Sequence, residues 1–301
     1  MGISKAMVSL LCEVNQEKPF KGAVLQLGKQ DVACTLSQLK EIFKNFNYTP
    51  PLPIEGDPDD VTLFQALGFD TVQSLDFSDY EGAELIFDLN QPLPDWVKGK
   101  YDLIFDGGTS EHIFNFPQVL KNIHDLLKLG GIIIHAAPTH NFVDHGFYMF
   151  SPTVFYDFYS VNKFDILKSY IFEYKSDPIL DWLIYDYKPG SIDHLSSGGW
   201  GRDLLGIFFV AQKTAAASGN IIPQQGSYLR TWKRLSSEST ISVHTHILDV
   251  TQVVKIQYKK TIIEKMKSVL RKFPLVRKVV RFIYLRVFLR FPKKPSIVAR
   301  Y

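Results

Sequence analysis

Cysteine is nearly missing from this chain: Cys12 and Cys34 are the only two among 301 residues. One pair at most cannot build a disulfide framework and offers no zinc-ligand spacing, so a stapled scaffold and a structural zinc module are both excluded. Long apolar runs are missing as well. No stretch of about 18 uncharged apolar residues occurs, so no segment reads as a bilayer-spanning helix. Met1 to Lys5 does not lead into an apolar region with a small-residue cleavage site, and a secretory leader is not expected. Gly2 and Ser4 fall short of a myristoylation start, because that signal wants Ser or Thr where Ala6 stands. No G-x-G-x-x-G follows the first apolar run, which disfavours a nicotinamide dehydrogenase, and no internal repeat occurs. These absences lead to the expectation of a cytoplasmic protein with reduced thiols.

What is present is ordinary in bulk and uneven in distribution. Hydrophobic residues make up 46% of the chain and charged residues 22%, the balance of a globular protein rather than a disordered one. The formal net charge of +3 hides a split. From Lys255 to Tyr301 there are fifteen Lys or Arg against one acid, Glu264, while the remainder carries nineteen bases against thirty acids. An acidic body joined to a basic tail implies two parts with different partners. The small-residue run from Ala215 to Gly219 marks the break. The expected organisation is a domain at 1–214, an irregular extension at 215–256 and a basic amphipathic helical tail at 257–301.

Within the body, seven short apolar runs read as strands: Ala23 to Gly28, Thr71 to Leu75, Glu84 to Phe87, Leu103 to Phe105, Ile132 to His135, Phe164 to Tyr174 and Leu204 to Ala211. Helical spacing appears between them at Thr35 to Asn45, Val61 to Leu67 and Pro117 to Leu129. A further helix is expected at Ser151 to Val161, with Ser151 as N-cap and Pro152 at the first helical position. Tyr48 to Asp60, rich in Pro, Gly and Asp, reads as a loop. Near-continuous apolar strands alternating with amphipathic helices are the pattern of a parallel sheet covered on both faces. The expected fold is α/β: a Rossmann-like, mostly parallel seven-stranded sheet with helices on both faces, plus a basic helical C-terminal tail.

Sheets of this kind bind ligands at the carboxyl ends of their strands, near the switch in strand order. The residues to weigh there are Gly28, then Asp76, then Asp88 with Leu89, and then the segment from Asp106 through Gly107 to His112. Each also has a plainer reading as a turn or strand-end residue. The segment Tyr101-Asp-Leu-Ile-Phe-Asp-Gly-Gly-Thr-Ser-Glu-His-Ile113, followed by a helix and Leu126-Leu-Lys-Leu-Gly-Gly-Ile132, resembles the class I S-adenosylmethionine-dependent methyltransferases of the type 11 group. The likeness spans about Gly22 to Lys213. It implies S-adenosylmethionine as cofactor, with Gly28 admitting its methionine end and Asp76 accepting hydrogen bonds from the ribose hydroxyls. It further implies that Asp88 and Leu89 sit by the adenine, and that Asp106 to Ser110, Gly107 among them, line the methionine moiety. The chain departs from that family's first motif, with Gln26 in place of an acid and Gln30 in place of a second glycine. Those two residues favour the alternative of a non-catalytic, methyltransferase-like binding or scaffold protein.

After the fifth strand, His140, Asn141, Asp144, His145 and Tyr148 crowd polar groups among aromatics. Methyl transfer to a hydroxyl needs an in-line approach and a base, and an imidazole suits that role. His145 and Tyr148 are therefore the candidate catalytic residues, with Asp144 as a partner for His145; the plain reading of His145 is a loop histidine bonded to backbone. A metal centre is not expected, because no acidic cluster with clear spacing accompanies the histidines. Ser191 to Arg202 reads either as a flap, with Trp200 stacking on a ring, or as a plain hairpin loop. In the tail, Ile262, Ile263, Met266, Val269, Leu270 and Phe273 form a helical stripe among lysines. That stripe fits an anionic membrane surface, with docking on the acidic body or on nucleic acid as weaker alternatives, the last disfavoured by the lack of any recognisable module. The expected acceptor is a small molecule, a glycan or a lipid-linked intermediate.

Overall fold

The computed structural model describes residues 2–175, 181–196, 198–229, 232 and 294–301. They fall into two compact units, one of residues 1–191, 202–226 and 295–301, the other of 192–201 and 227–294. The basic stripe at 257–293 lies outside the described residues.

The first unit runs through β1 (Ile3–Ser4), α1 (Lys5–Glu17), β2 (Ala23–Leu27), β3 (Val32–Ala33), α2 (Leu36–Asn45), α3 (Asp60–Ala66), β4 (Thr71–Asp76) and β5 (Leu85–Ile86). It continues through β6 (Tyr101–Asp106), α4 (Phe116–Leu126), β7 (Leu127–His140), α5 (Pro152–Val161), β8 (Asp165–Tyr174), β9 (Leu183–Asp186), β10 (Leu204–Gln212) and β11 (Ile297–Arg300). Among the described residues the main sheet has nine strands in the order β11-β9-β8-β10-β7-β6-β2-β4-β5, where seven were expected. The additions are β9 and β11, which extend one edge. From β5 to β7 all neighbours are parallel, and from β7 to β11 all are antiparallel, so only β10 and β9 run against the rest.

Alternation along the strands builds two cores. Val24, Leu103, Phe105, Ile134 and Phe208 face one side, where α1, α2 and α3 supply Leu10, Leu39 and Phe64. Leu25, Ile104, Ile133, Ile207 and Phe209 face the other, against Val119, Ile123 and Leu126 of α4 and Phe155 of α5. Each such side chain contributes roughly 1.5–3 kcal/mol by leaving water, and a one-residue slip would exchange the two sets.

Helix ends follow local chemistry. Thr35 caps α2 through a capping box with Gln38, and Asp59 caps α3 by accepting from the Thr62 N–H at 2.7 Å. Ser151 stands at the N-cap of α5, but its side chain makes no capping bond there; Pro152 alone opens that helix as expected. Helix α4 stops at Leu126, three residues short of the expected Leu129. The reason is pairing: Leu127 sits opposite Tyr101 and Ile132 opposite Leu103, so residues 128–131 bulge out of β7. Residues 297–300, expected as the end of a helical tail, form an edge strand antiparallel to β9. Among the described residues no helix is long and apolar enough to cross a membrane.

Candidate functional site

The chain passes from β2 outward to β4 and β5, then returns to β6 on the other side of β2. That reversal opens a crevice beyond the carboxyl ends of β2 and β6, the place where such sheets bind ligands. A cavity of about 520 Å³ lies there, lined by Gly28, Asp76, Asp88, Leu89, Gly107 and Thr109 among others. Its size falls in the range of small-molecule sites.

Gly28 adopts φ +70°, and a Cβ at that position would meet Thr109 Oγ1 at 2.7 Å and Asp76 Oδ2 at 3.7 Å. Thr109 Oγ1 donates to the Leu27 carbonyl at 2.5 Å, fastening the β6 loop to the end of β2 across the switch point. Asp76 uses Oδ1 to accept the Phe77 N–H at 2.6 Å, which turns its other oxygen toward Gly28. Asp88 likewise accepts from both the backbone and side-chain nitrogens of Asn90 through Oδ1, at 2.9 and 2.8 Å. Two carboxylates are thereby fixed by one oxygen each, leaving the second oxygen as an acceptor in a partly buried crevice. Leu89 is buried at the same wall, its carbonyl held by Asn122.

The two glutamines of the departing first motif differ in place: Gln26 is buried away from the cavity, while Gln30 lines it. Gln26, fully buried, donates to Asp60 Oδ2 at 2.8 Å, and Lys29 pairs with the same oxygen at 3.0 Å. Gln30 folds back to donate to the Leu27 carbonyl at 3.2 Å, and its Oε1 occupies the space a side chain on Gly107 would need.

Asp106 does not share the cavity with the others. Its carboxylate is wholly buried, bonded to Ser110 Oγ at 2.6 Å and His135 Nδ1 at 2.7 Å, and His135 Nε2 meets the Tyr159 hydroxyl at 2.7 Å. Burial alone would raise the Asp106 carboxyl, but its bonds to His135 and Ser110 outweigh that and hold it below the usual carboxylate range. The Tyr159 phenol is pushed up by burial and by the Asp106 charge. This chain of Asp106, His135 and Tyr159 braces the loop behind the cavity. Its sequence signal is His135, a lone polar residue within the apolar run from Ile132 to Ala137.

His145 and Tyr148 lie on the loop after β7, outside the residues lining the cavity. Tyr148 donates its hydroxyl to the Phe114 carbonyl at 2.7 Å. Asp144 sits at φ +65° beside His145, but the carboxylate that His145 meets is Glu111, with Nε2 to Oε1 at 3.6 Å. His112, which lines the cavity, approaches the same oxygen at 3.9 Å, and its ring stands edge-on to that of His145 at 5.0 Å. Glu111 is fully buried and neither of its oxygens has a hydrogen-bond partner among the described residues. Burial, then the Asp106 charge, push its carboxyl up to about 8, while burial and the neighbouring His145 lower the His112 imidazole. The loop approaches so closely because Gly146 packs on the Glu111 carbonyl and His112 Nδ1, where a Cβ would lie 2.9 and 3.1 Å away. In the second unit, Trp200 is buried with the Lys294 ammonium 5.5 Å from its ring centre.

No family model matches the chain, and no curated protein matches its sequence. Among solved structures, it is similar to the 1,6-didemethyltoxoflavin-N1-methyltransferase of Burkholderia thailandensis, solved with 1,6-didemethyltoxoflavin and S-adenosylhomocysteine. The identity is 12% and the TM-score 0.36, over 70% of this chain and 78% of that one. A geranyl diphosphate methyltransferase in complex with SAM matches at 10% identity and TM-score 0.38, over 70% and 85% of the two chains. TehB from Haemophilus influenzae matches at 14% and 0.35, over 68% of this chain and 61% of that one.

Proposed function

We propose that this chain binds S-adenosylmethionine in the crevice between β2 and β6 and transfers its methyl group to a small-molecule, glycan or lipid-linked acceptor. The observation that carries the reading is the meeting of Gly28, Asp76 and Asp88 on one cavity at the switch point. The fit is specific in kind. Gly28 presents bare backbone where a Cβ would fill the approach, and Asp76 offers a free carboxylate oxygen suited to vicinal hydroxyls. Asp88 and the apolar Leu89 supply an acceptor and a wall for a base. When bound, the cofactor supplies an electrophilic methyl on a sulfonium. The protein's part is to hold the donor, orient the acceptor and receive a proton. His145, whose ring stands against that of cavity-lining His112, takes that last role, with Glu111 beside it and Tyr148 fixing the loop through Phe114. Asp106 contributes by bracing the loop that carries Gly107 and Thr109.

Calorimetric titration of the full chain with S-adenosylmethionine, and separately with NAD, tests this. Binding of the first and not the second is expected, and Asp76→Ala should weaken it by at least about tenfold, as loss of a charge-assisted pair predicts. Absence of binding at millimolar cofactor would overturn the reading. Binding without turnover would leave the scaffold alternative, which the inward-turned Gln26 favours. The basic segment at 257–293 is proposed to meet anionic lipid, bringing the enzyme to a lipid-linked acceptor.

A further inference from the structure

We infer that Glu111, His112 and His145 form a binding site for a divalent transition-metal ion at the edge of the cavity. Their ligand atoms, one from each residue, lie within 4.8 Å of one another. The Glu111 Oε1 distances, 3.6 Å to His145 Nε2 and 3.9 Å to His112 Nε2, are too long for hydrogen bonds. They are close to what a shared ion needs, since two ligands about 2.1 Å from one tetrahedral centre stand roughly 3.4 Å apart.

Glu111 supplies the second observation. A carboxylate with no solvent exposure and both oxygens unpartnered is costly to bury. Its Oε1 stands near two imidazoles, and an ion would satisfy all three groups together. His112 is set by the short helical turn Ser110–His112. His145 rides on the loop held by the Tyr148 N–H bonded to the Glu111 carbonyl at 3.2 Å. Since that loop side chain is 36% exposed, closing a few tenths of an ångström needs no repacking of the core.

Two imidazoles and one carboxylate favour zinc, iron, cobalt or nickel over magnesium or calcium, which prefer all-oxygen sets. Three protein ligands leave a coordination position for a water or an acceptor oxygen. A bound ion would acidify a coordinated hydroxyl, whose proton would pass to solvent water, and His145 would then act as a ligand rather than as the base. The site uses neither Asp76 nor Gly28, so metal binding and cofactor binding stand or fall separately.

The test is equilibrium dialysis of chelator-treated full-length protein against Zn²⁺, with Co²⁺ as a spectroscopic probe and Mg²⁺ as control. One equivalent of Zn²⁺ is expected, with Co²⁺ giving visible d–d bands and Mg²⁺ not retained. His145→Ala, on the exposed loop, and Glu111→Gln, close to isosteric, should each lower affinity by at least about tenfold. If Glu111→Gln fails to fold, His112→Ala replaces it. No Zn²⁺ uptake at about 100-fold molar excess, uptake unchanged in both variants, or loss in only one of them would overturn the three-ligand site.

Discussion

Gly28 shows how much a single hydrogen atom decides. At φ +70° an L side chain is strained, and its Cβ would press on Thr109 Oγ1, the group that ties β2 to the β6 loop. Gly28→Ala should cost about 1–2 kcal/mol in urea unfolding and weaken S-adenosylmethionine binding by calorimetry, since the new methyl faces Asp76. Asp59 offers a prediction with a pH signature. Hydrogen bonds from Thr62 hold its carboxyl below the ordinary value. A group depressed on folding adds stability above its unfolded pKa and loses it as pH falls through the folded one. Asp59→Ala should therefore destabilise by about 1 kcal/mol at neutral pH, and urea midpoints of variant and parent should draw together as pH falls through and below the ordinary carboxylate range. At this scale the sequence was partly legible. Gly28, Asp76, Asp88, Leu89 and Gly107 line the cavity because strand-end residues of a parallel sheet share one side by geometry alone. Glu111 as the partner of His145 was not legible, because the two are far apart in sequence and meet only where Gly146 lets two loops touch.

Elements were legible where one face was apolar and the other was not. Helix α2, with its capping box and the buried Leu39, Ile42 and Phe43, is such a case. Helix α1 escapes a periodicity reading because its buried residues include Met7, Val8, Leu10, Leu11, Cys12 and Val14, too many to form a stripe. Strand β11 escaped for the opposite reason: Ile297–Arg300 is mostly exposed and becomes a strand only by pairing with Leu183–Asp186. That pairing is reinforced by Tyr301, whose hydroxyl donates to Glu13 of α1 at 2.8 Å and whose ring lies 6.0 Å from that of Phe46. Deleting residues 296–301 should lower unfolding free energy by about 1–3 kcal/mol in urea. An unchanged midpoint would mean the edge contributes nothing.

For the whole molecule, the division of charge is the widest feature of the sequence. With fifteen bases between Lys255 and Tyr301, the full chain should float with anionic liposomes and release as salt rises. A variant lacking 257–293 but keeping 294–301 should stay at the bottom of the gradient; equal recovery of both proteins would remove the membrane role. The variant must keep its last residues because they pair with β9. Residues 227–294 leave the first unit after Gly226 and are followed by Pro295–Tyr301, which belong to that unit again. The last residues of the sequence thus act on its first helix and on the middle of the chain at once: a tag fused after Tyr301 would sit beside Glu13 and Trp182, so a reporter is better attached elsewhere.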